Sequence, residues 1–383
     1  MDYIALKDVC SINMGQSPDS SSYNDNEDGI PFFQGNADFG ERYPVTRVWC
    51  NEPTKVAKAE DILISVRAPI GALNYAKEEC CIGRGLAAIT PDKTKVSSEF
   101  IFWLLKGKNE ELNSKGTGST FKAISRKVLE ETLVPNVDFD KQNEYAEILE
   151  KTYSVIQMRK QELSKLDNLI KARFVEMFGE PETNPKGWKE NALSERLNIL
   201  GGYAFKSDMF DETSGIPVLR IGNINAGFFK PVNMVYWQED ENLKRYAMYP
   251  GDLVMSLTGT VGKDDYGNVC ILGNDYEMYY LNQRNAKLEI KEGIDKYYLS
   301  ELLKFEQIKR KITGISRGVR QANISNKDIL NLVVPIPPMK LQEQFADFVH
   351  QVDKSKVVVQ NEFENKLGRG MMNTVIAETM KLQ

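Results

Sequence analysis

Hydrophobic and polar positions along the chain form two kinds of segment. Short apolar runs bounded by glycine and proline, such as residues 61–66 (DILISV) and 252–257 (DLVMSL), are typical of β-strands joined by tight turns. Residues 138–178 contain no proline or glycine, and their main apolar positions recur every three, four or seven residues, with Thr152, Arg159 and Arg173 filling the gaps. This spacing predicts a long helix with a coiled-coil-like seam. The seam positions are Tyr145, Leu149, Ile156, Leu163, Leu166, Ile170 and Met177.

A second helical stretch runs from Met339 towards Met380 and carries a comparable apolar stripe. Gly368 and Gly370 interrupt it, so helix is least favoured in its last part. Because an apolar stripe must be buried, each long helix needs a partner, and we expect the two helices to pack together. The first stretch has 7 basic and 7 acidic side chains over residues 140–178, which favours packing over DNA binding.

The chain contains one pattern twice. Gly29-Ile30-Pro31 returns as Gly215-Ile216-Pro217, and at an offset of 200 the segment Val134-Pro135 returns as Val334-Pro335. The offset grows from 187 at the start of the repeat, so the second copy carries extra loop residues, which a fold absorbs easily. We therefore predict a first globular domain over 1–138, a central long helix over 139–180, a second globular domain over 181–338 and a C-terminal long helix over 339–383.

Charge is distributed unevenly in this chain of 383 residues. A net charge of −5 argues at first sight against a nucleic-acid partner, but binding depends on where the basic residues lie. Residues 106–127 have a local net charge of +4 and residues 304–320 have +5. The two basic segments occupy equivalent places in the repeat, which favours a DNA-binding surface in each copy. A solvated helix face is the alternative for each segment.

Motifs for chemistry are missing from the sequence. The single histidine, His350, falls inside the second helical stretch, where a packing role is expected and no catalytic or metal site is predicted. The glycine-rich segments 116–122 and 258–263 lack the order of a phosphate-binding loop. The five cysteines form no C-x-x-C pair, and no signal or membrane-spanning segment is recognised, so the cytoplasm is the expected compartment.

Polar side chains suited to reading bases are concentrated in the repeated loops. Arginine and lysine fit the edge of guanine in the major groove, and asparagine and glutamine fit that of adenine. Since the framework repeats while these side chains differ, two different half-sequences are expected; an ordinary turn residue is the alternative at each position. The candidates are Gln34, Asn36, Arg67, Arg84, Ser119, Thr120 and Lys122 in the first copy, and Arg220, Asn223, Asn225, Thr258, Thr260, Lys263, Gln283, Arg284, Arg317, Arg320 and Gln321 in the second.

Three stretches are similar to a known family. They are residues 118–135 (from Gly-Ser-Thr to Leu-Val-Pro), residues 174–188 (ending in Asn-Pro-Lys-Gly-Trp) and residues 329–344, where Pro-Pro-x-x-x-Gln-x-Gln leads into the second helix. With these stretches, the chain resembles the specificity subunit of type I restriction–modification enzymes over essentially its whole length. The first copy departs from the last motif: it reads Pro135-Asn136-Val137-Asp138, without the paired prolines, and Gln142-Asn143-Glu144, without the second glutamine.

The resemblance implies an α+β fold with two homologous mixed α/β target-recognition domains, joined by two long helices that pair as an antiparallel coiled coil with pseudo-twofold symmetry. It implies a non-catalytic subunit that reads a bipartite target, one half-site per domain, with a spacer set by the helices. The implied partners are double-stranded DNA, two adenine methyltransferase subunits and motor/nuclease restriction subunits, and no membrane. No cofactor is expected in this chain; S-adenosylmethionine, ATP and magnesium would belong to the partner subunits.

Three other interpretations stay open at the level of sequence. The chain could be the specificity part of a related two-subunit methyltransferase/nuclease system. A coiled-coil scaffold that binds only proteins would show no salt-dependent DNA binding. A catalytic protein with an unfamiliar duplicated active site would show activity as a purified chain.

Overall fold

The computed structural model describes the backbone of residues 2–118, 122–260, 263–313 and 321–367, and side chains in these ranges except for 321 and 357–367. The chain divides into two compact units, formed mainly by Met1–Gln161 and by Glu162–Val358. Helix and sheet are mixed in both units, which confirms the predicted fold class. In the described part of the chain, no helix has the length and apolar character needed to cross a membrane.

The first globular domain is built on a central antiparallel sheet. Its strands lie in the order Cys10–Met14, Leu86–Pro91, Ile62–Ser65, Leu73–Tyr75. A second sheet has the order Tyr23–Asn24, Trp49–Cys50, Ile30–Phe33, Cys80–Ile82, Val56–Ala57. Tyr3–Ala5 pairs with Leu133–Pro135, so the beginning and the end of the domain are joined. The helices are Leu6–Val9, Ser98–Gly107, Asn109–Ser114 and Arg126–Glu130, with 3-10 turns at Ser20–Ser22 and Asn36–Asp38.

The helix Ser98–Gly107 forms the centre of the first core because it is apolar on all sides. Phe100 through Leu105 are all buried, and a helix that is hydrophobic all round has to be covered on every face. The central sheet and the beginning of the long helix contribute to the same core, which includes Ile62, Tyr145 and Leu149.

The second globular domain repeats this plan. Its central sheet has the order Leu197–Gly201, Asn285–Ile290, Leu253–Ser256, Val269–Ile271. The other sheet has Tyr236–Trp237, Ile216–Leu219, Tyr279–Leu281, Ala247–Met248, and Glu190–Ala192 pairs with Val333–Pro335. An additional pair joins Thr258–Thr260 to Gln321–Asn323. The helices are Ile221–Ile224, Lys296–Lys304, Glu306–Thr313 and Asn326–Leu330, with 3-10 turns at Leu193–Glu195, Ser207–Met209 and Glu241–Tyr246.

Two long helices follow the globular domains. The first long helix is Phe139–Phe178 and the second long helix is Met339–Leu367. Residues 368–383, which the sequence assigns to the end of the second helix, lie outside the described residues. Each helix enters a globular core through an aromatic residue three positions after a buried glutamine: Tyr145 after Gln142, and Phe345 after Gln342.

Inside the second unit, the two long helices pack against each other in antiparallel orientation. The Phe178 and Phe174 rings lie 5.5 and 5.4 Å from that of Phe345, and further along Lys356 Nζ lies 2.7 Å from the Asp167 carboxylate. Residue numbers fall along one helix while they rise along the other, so the predicted antiparallel pairing is present in this unit. Phe174 and Phe178, which the predicted seam omitted, are among its most buried residues because they also pack on Tyr298 of the domain core.

Candidate nucleic-acid interface

Loops from both sheets of the first domain meet at one edge of its central sheet. Met14 pairs with Ala87, and Ser65 with Leu86, so the chain leaves or enters three strands at the same edge. Gly15 packs here against the turn that follows Ile82: a Cβ on Gly15 would lie 2.3 Å from the Gly83 carbonyl oxygen. Gly202 has the same role in the second domain, 2.1 Å from the Asn282 carbonyl oxygen. Only glycine allows this approach, which explains why both copies carry it.

Gln34 and Arg84 are brought together at this edge. The Gln34 amide donates to the Ser17 hydroxyl (3.0 Å), and the same hydroxyl accepts from the Arg84 backbone N–H (3.2 Å). Both long side chains are exposed, so their outer atoms are available to a ligand. Asn36 begins a 3-10 turn next to Gln34 and is partly exposed. Ser17, which organises the pair, was not a sequence candidate; its place beside the repeated glycine was the available signal.

Arg67 and Lys122 lie next to each other at the same edge. Arg67 follows the strand Ile62–Ser65 and forms an isolated bridge with Ala123, while the Ala68 N–H donates to the Lys122 carbonyl (3.1 Å). Both side chains are exposed. Backbone bonds therefore hold two cations beside Gln34 and Arg84, as a DNA-contacting edge requires. The candidates Ser119 and Thr120 lie outside the described residues.

The second domain presents different side chains at matching positions. In the first domain, the Gln16 N–H donates to the Ile82 carbonyl and the Val66 N–H donates to the Gly85 carbonyl. The same two backbone hydrogen bonds occur in the second domain, from Tyr203 to Leu281 and from Leu257 to Arg284. By this correspondence, Gln34 is replaced by Arg220, Arg67 by Thr258 and Arg84 by Gln283. Gln283 and Arg284 are exposed, and the partly exposed Arg220 donates to the Asn233 carbonyl. The two edges thus share a framework and differ in their polar groups.

One candidate of the second domain is not available for base reading. Asn223 is 1% exposed, and its amide donates to the carbonyls of Lys230 (3.1 Å) and Val232 (3.0 Å). Its side-chain oxygen accepts from the Arg220 N–H (2.9 Å). All its hydrogen-bonding groups are used to shape the loop, so the prediction of a base contact at Asn223 is wrong.

The strand Thr258–Thr260, which pairs with Gln321–Asn323, extends the second edge. The exposed Thr260 donates its hydroxyl to Asp265 (2.9 Å), and hydrogen bonds from the Thr260 backbone N–H and hydroxyl lower the pKa of that carboxyl. Lys263 is exposed, and the Asn225 amide donates to the Asp265 carbonyl (2.6 Å). Asn225 therefore supports the loop that follows this strand, whereas Thr260 and Lys263 are exposed. Arg317 and Arg320 lie outside the described residues, as does the Gln321 side chain.

The basic segments provide less free charge than the sequence suggests. In the first, Lys108 and Lys115 both pair with Glu111 (2.7 and 2.5 Å), and Arg126 and Lys127 pair with glutamates one turn on. In the second, Lys304, Lys309 and Arg310 also have acidic partners. Within the described residues of these two segments, the exposed cations for which no ion pair is seen are Lys122 and Lys311. The alternative of a solvated helix face therefore applies to most of these residues.

Tyr203 is a feature of the second edge that sequence reasoning missed. Its ring is 38% exposed and lies 4.9 Å from that of Phe205 and 5.4 Å from that of Tyr246. Its carbonyl accepts from the Gln283 N–H (2.8 Å), which places the ring beside two candidates. The repeat carried the signal, because Tyr203 follows Gly202 as Gln16 follows Gly15.

Other side chains with chemical potential do not assemble into a site. Among the described residues, no group of three or more His, Cys, Asp or Glu is placed to hold a metal ion. His350 lies on the exposed side of the second long helix, with its ring 4.3 Å from that of Tyr297, as expected of a packing residue. Burial raises the pKa of the Cys10, Cys80 and Cys270 thiols to about 12.

Comparison with known proteins identifies the family. The sequence model of one protein family, the type I restriction modification DNA specificity domain, matches residues 1–168 and 185–368. The chain belongs to this family. The two matched segments correspond to the two copies of the repeat, the first with most of its long helix and the second with all of Met339–Leu367, so the duplication predicted from sequence is confirmed.

Relatives and a solved structure agree with this assignment. A candidate specificity subunit of the type I restriction enzyme MjaX from Methanocaldococcus jannaschii is 42% identical over 160 residues, which cover 42% of this chain and 38% of that protein. The EcoBI specificity subunit of Escherichia coli is 20% identical and aligns with 99% of this chain and 85% of its own length. The S subunit from M. genitalium has the same fold, with a TM-score of 0.53 at 15% identity, covering 99% and 95% of the two chains.

Membership in the type I specificity family settles the class of activity. A specificity subunit is the DNA-recognition component of its enzyme and is not a catalytic subunit, in agreement with the sequence prediction. The interpretation as a catalytic protein with a duplicated active site is therefore wrong.

Proposed function

We propose that each globular domain reads one half of a bipartite DNA target at the edge described above. The carrying observation is that matching positions hold Gln34 and Arg220, Arg67 and Thr258, Arg84 and Gln283 on the same backbone framework. Amide, guanidinium and hydroxyl groups select different bases in the major groove. Two domains with one framework and different reading groups therefore select two different half-sequences.

The way each domain closes supports independent reading. Tyr3 pairs with Pro135, and Glu190 pairs with Pro335, so each copy begins and ends on one antiparallel strand pair. Since a domain with adjacent ends can be replaced without changing the path of the flanking chain, the two readers are modular. The first long helix, Phe139–Phe178, is unbroken, which makes it suitable for setting a fixed spacer between half-sites.

The family also supports a set of partners. We propose assembly on double-stranded DNA with two adenine methyltransferase subunits and with motor/nuclease restriction subunits. S-adenosylmethionine, ATP and magnesium would bind to those subunits. The names of the relatives, specificity subunits of type I restriction enzymes, support a multi-subunit enzyme. The cysteines are all unpaired and buried, which suits the reducing cytoplasm, where we expect the complex to act.

Domain exchange tests the proposal. Residues 189–333 are replaced by the equivalent segment of a relative with another specificity, and residues 2–133 are replaced in a matched variant. Each variant is assembled with its methyltransferase, and methylated adenines are mapped across a genome. We expect each exchange to alter one half-sequence and to leave the other half and the spacer unchanged. A folded, assembled variant in which both halves change, or neither, would contradict independent reading.

A further inference from the structure

The second domain reads with a longer loop than the first. In the first domain, residues 65–72 connect the paired residues Ile64 and Leu73. In the second, residues 256–268 connect Met255 and Val269, five residues more. The longer loop contains the short strand Thr258–Thr260, which pairs with Gln321–Asn323, and the exposed Lys263. A longer loop at the reading edge needs additional support if its side chains are to keep one position.

Lys309 provides that support from the helix Glu306–Thr313. Its side chain is buried, and its ammonium group donates to the Asp264 carboxylate and to the Asn268 side-chain oxygen (2.6 Å). Lysine is rarely buried unless it is paired, so this placement indicates a specific role. The Thr313 carbonyl of the same helix accepts from the Tyr266 hydroxyl (2.9 Å). One helix thus holds three residues of the loop.

The contact between loop and helix is polar and incompletely filled. A cavity of about 310 Å³ is lined by Asn225, Asp264, Asn268 and Lys309, among others. Tyr266 packs in the domain core, whereas on the side of the cavity the loop is held by the hydrogen bonds of Lys309 and Asn225.

The first domain supports its loop from the corresponding helix. The helix Asn109–Ser114 follows Ser98–Gly107 as Glu306–Thr313 follows Lys296–Lys304, and it carries Asn109 and Asn113. Their amides donate to the Ile70 carbonyl (3.1 and 2.8 Å), inside the shorter loop of that domain. Both copies therefore support the reading loop from one helix, with neutral amides in the first and an ammonium group in the second.

We infer that Lys309 is a positioning residue for base discrimination by the second domain, and that Asn109 has this role in the first. The inference rests on the proposed function, since it assigns one support to each half-site. A side chain that reads a base must be held in place before DNA arrives, because mobility reduces the difference in binding between right and wrong bases. Lys309 itself faces the loop and the cavity, so it acts on DNA through the position of that loop.

Discrimination measured separately at each half-site tests this inference. The variants Lys309→Met and Asn109→Ala are assembled with the methyltransferase, and methylation rates are compared between the cognate target and targets with one mismatch in either half. For Lys309→Met we expect the ratio of cognate to mismatched rates to fall about tenfold in the second half-site and to change less than about twofold in the first. Asn109→Ala should give the reverse, and Lys309→Arg should restore much of the lost discrimination.

Asp264→Asn provides a second route to the same answer. The Asp264 side chain is 88% exposed, so this variant should fold even if Lys309→Met does not. It should also lower the ratio of cognate to mismatched rates in the second half-site. The inference would be overturned if the folded variants discriminated as well as the wild type, or if discrimination fell equally in both half-sites. A wild-type complex that methylates no two-part target would instead remove the proposed function, and this inference with it.

Discussion

Single residues at the two reading edges show how far the sequence could predict the site. The pattern located polar side chains at strand ends, and Gln34, Arg67 and Arg84 are exposed there. It could not separate them from Asn223, whose amide bonds to carbonyls 7 and 9 residues away. That distinction depends on the path of the following loop, which residue type alone does not determine. Tyr203 was missed because its role follows from an exposed ring, and exposure is a tertiary property.

The amino group of Lys106 should make the stability of the protein depend on pH. Its ammonium group lies 4.2 Å from the centre of the Tyr153 ring, between the first domain and the first long helix. Burial, and then the neighbouring Arg42, lower its pKa from 10.5 to about 8; the ring contact opposes this shift without cancelling it. Between these two pH values the unfolded chain holds a proton that the folded chain has lost, so the contribution of Lys106 to stability rises with pH.

The free energy of unfolding of the wild type, minus that of Lys106→Met, should therefore increase from pH 7 to pH 10. Subtracting the variant removes the ionisation of cysteines and tyrosines, which both proteins share. Urea unfolding at several pH values measures the difference. A difference that stays constant, or falls, over this range would show that the buried ammonium keeps its proton.

At the scale of elements, one hydrogen-bond arrangement joins each globular domain to its long helix. Gln142 accepts from the Ser97 N–H and donates to the Val137 carbonyl; Gln342 accepts from Asp295 N–H and donates to the Pro337 carbonyl (2.7–2.9 Å in all). The sequence predicted the long helices, and it showed both glutamines as identities of the repeat. It could not predict their role, because the backbone N–H groups that donate to them lie 45 and 47 residues earlier in the chain.

Replacing either glutamine by leucine should destabilise its own unit. Both side chains are buried, and the variant leaves one backbone N–H and one carbonyl without a partner, which costs about 1–3 kcal/mol per unsatisfied group. Asn143→Ala and Gln344→Ala are matched controls, since both residues are exposed neighbours on the same helices. Denaturant unfolding that gives the same midpoint for Gln342→Leu and Gln344→Ala would contradict a structural role for the buried amide.

For the whole molecule, duplication was visible in the sequence but strand order was not. Repeated glycines and the Val-Pro pairs fixed the number of copies and their correspondence. The order in each central sheet depends on pairings such as that of Cys10–Met14 with Leu86–Pro91, which no local pattern encodes. The long helices were predictable because their periodicity is local and extends over many turns.

The length of the first long helix should set the spacer between the two half-sites. The first long helix has 40 residues, about 60 Å at 1.5 Å per residue, which exceeds the roughly 34–36 Å of one DNA turn. Four helix-favouring residues inserted after Arg159 add about 6 Å, close to two base pairs, and rotate the following helix by about 40° beyond a full turn. The coiled-coil seam can absorb this rotation at some loss of stability.

We expect methylation mapping of the assembled insertion variant to give both half-sequences unchanged, with a non-specific spacer one or two base pairs longer. The same insertion between Asn274 and Asp275, in an exposed turn at the other end of the second domain's sheets, should leave the spacer as it was. This control separates helix length from a general effect of added residues. If the helix variant kept the original spacer, the distance between half-sites would have to be set elsewhere, by the partner subunits or by DNA bending, even though each domain still read its own sequence.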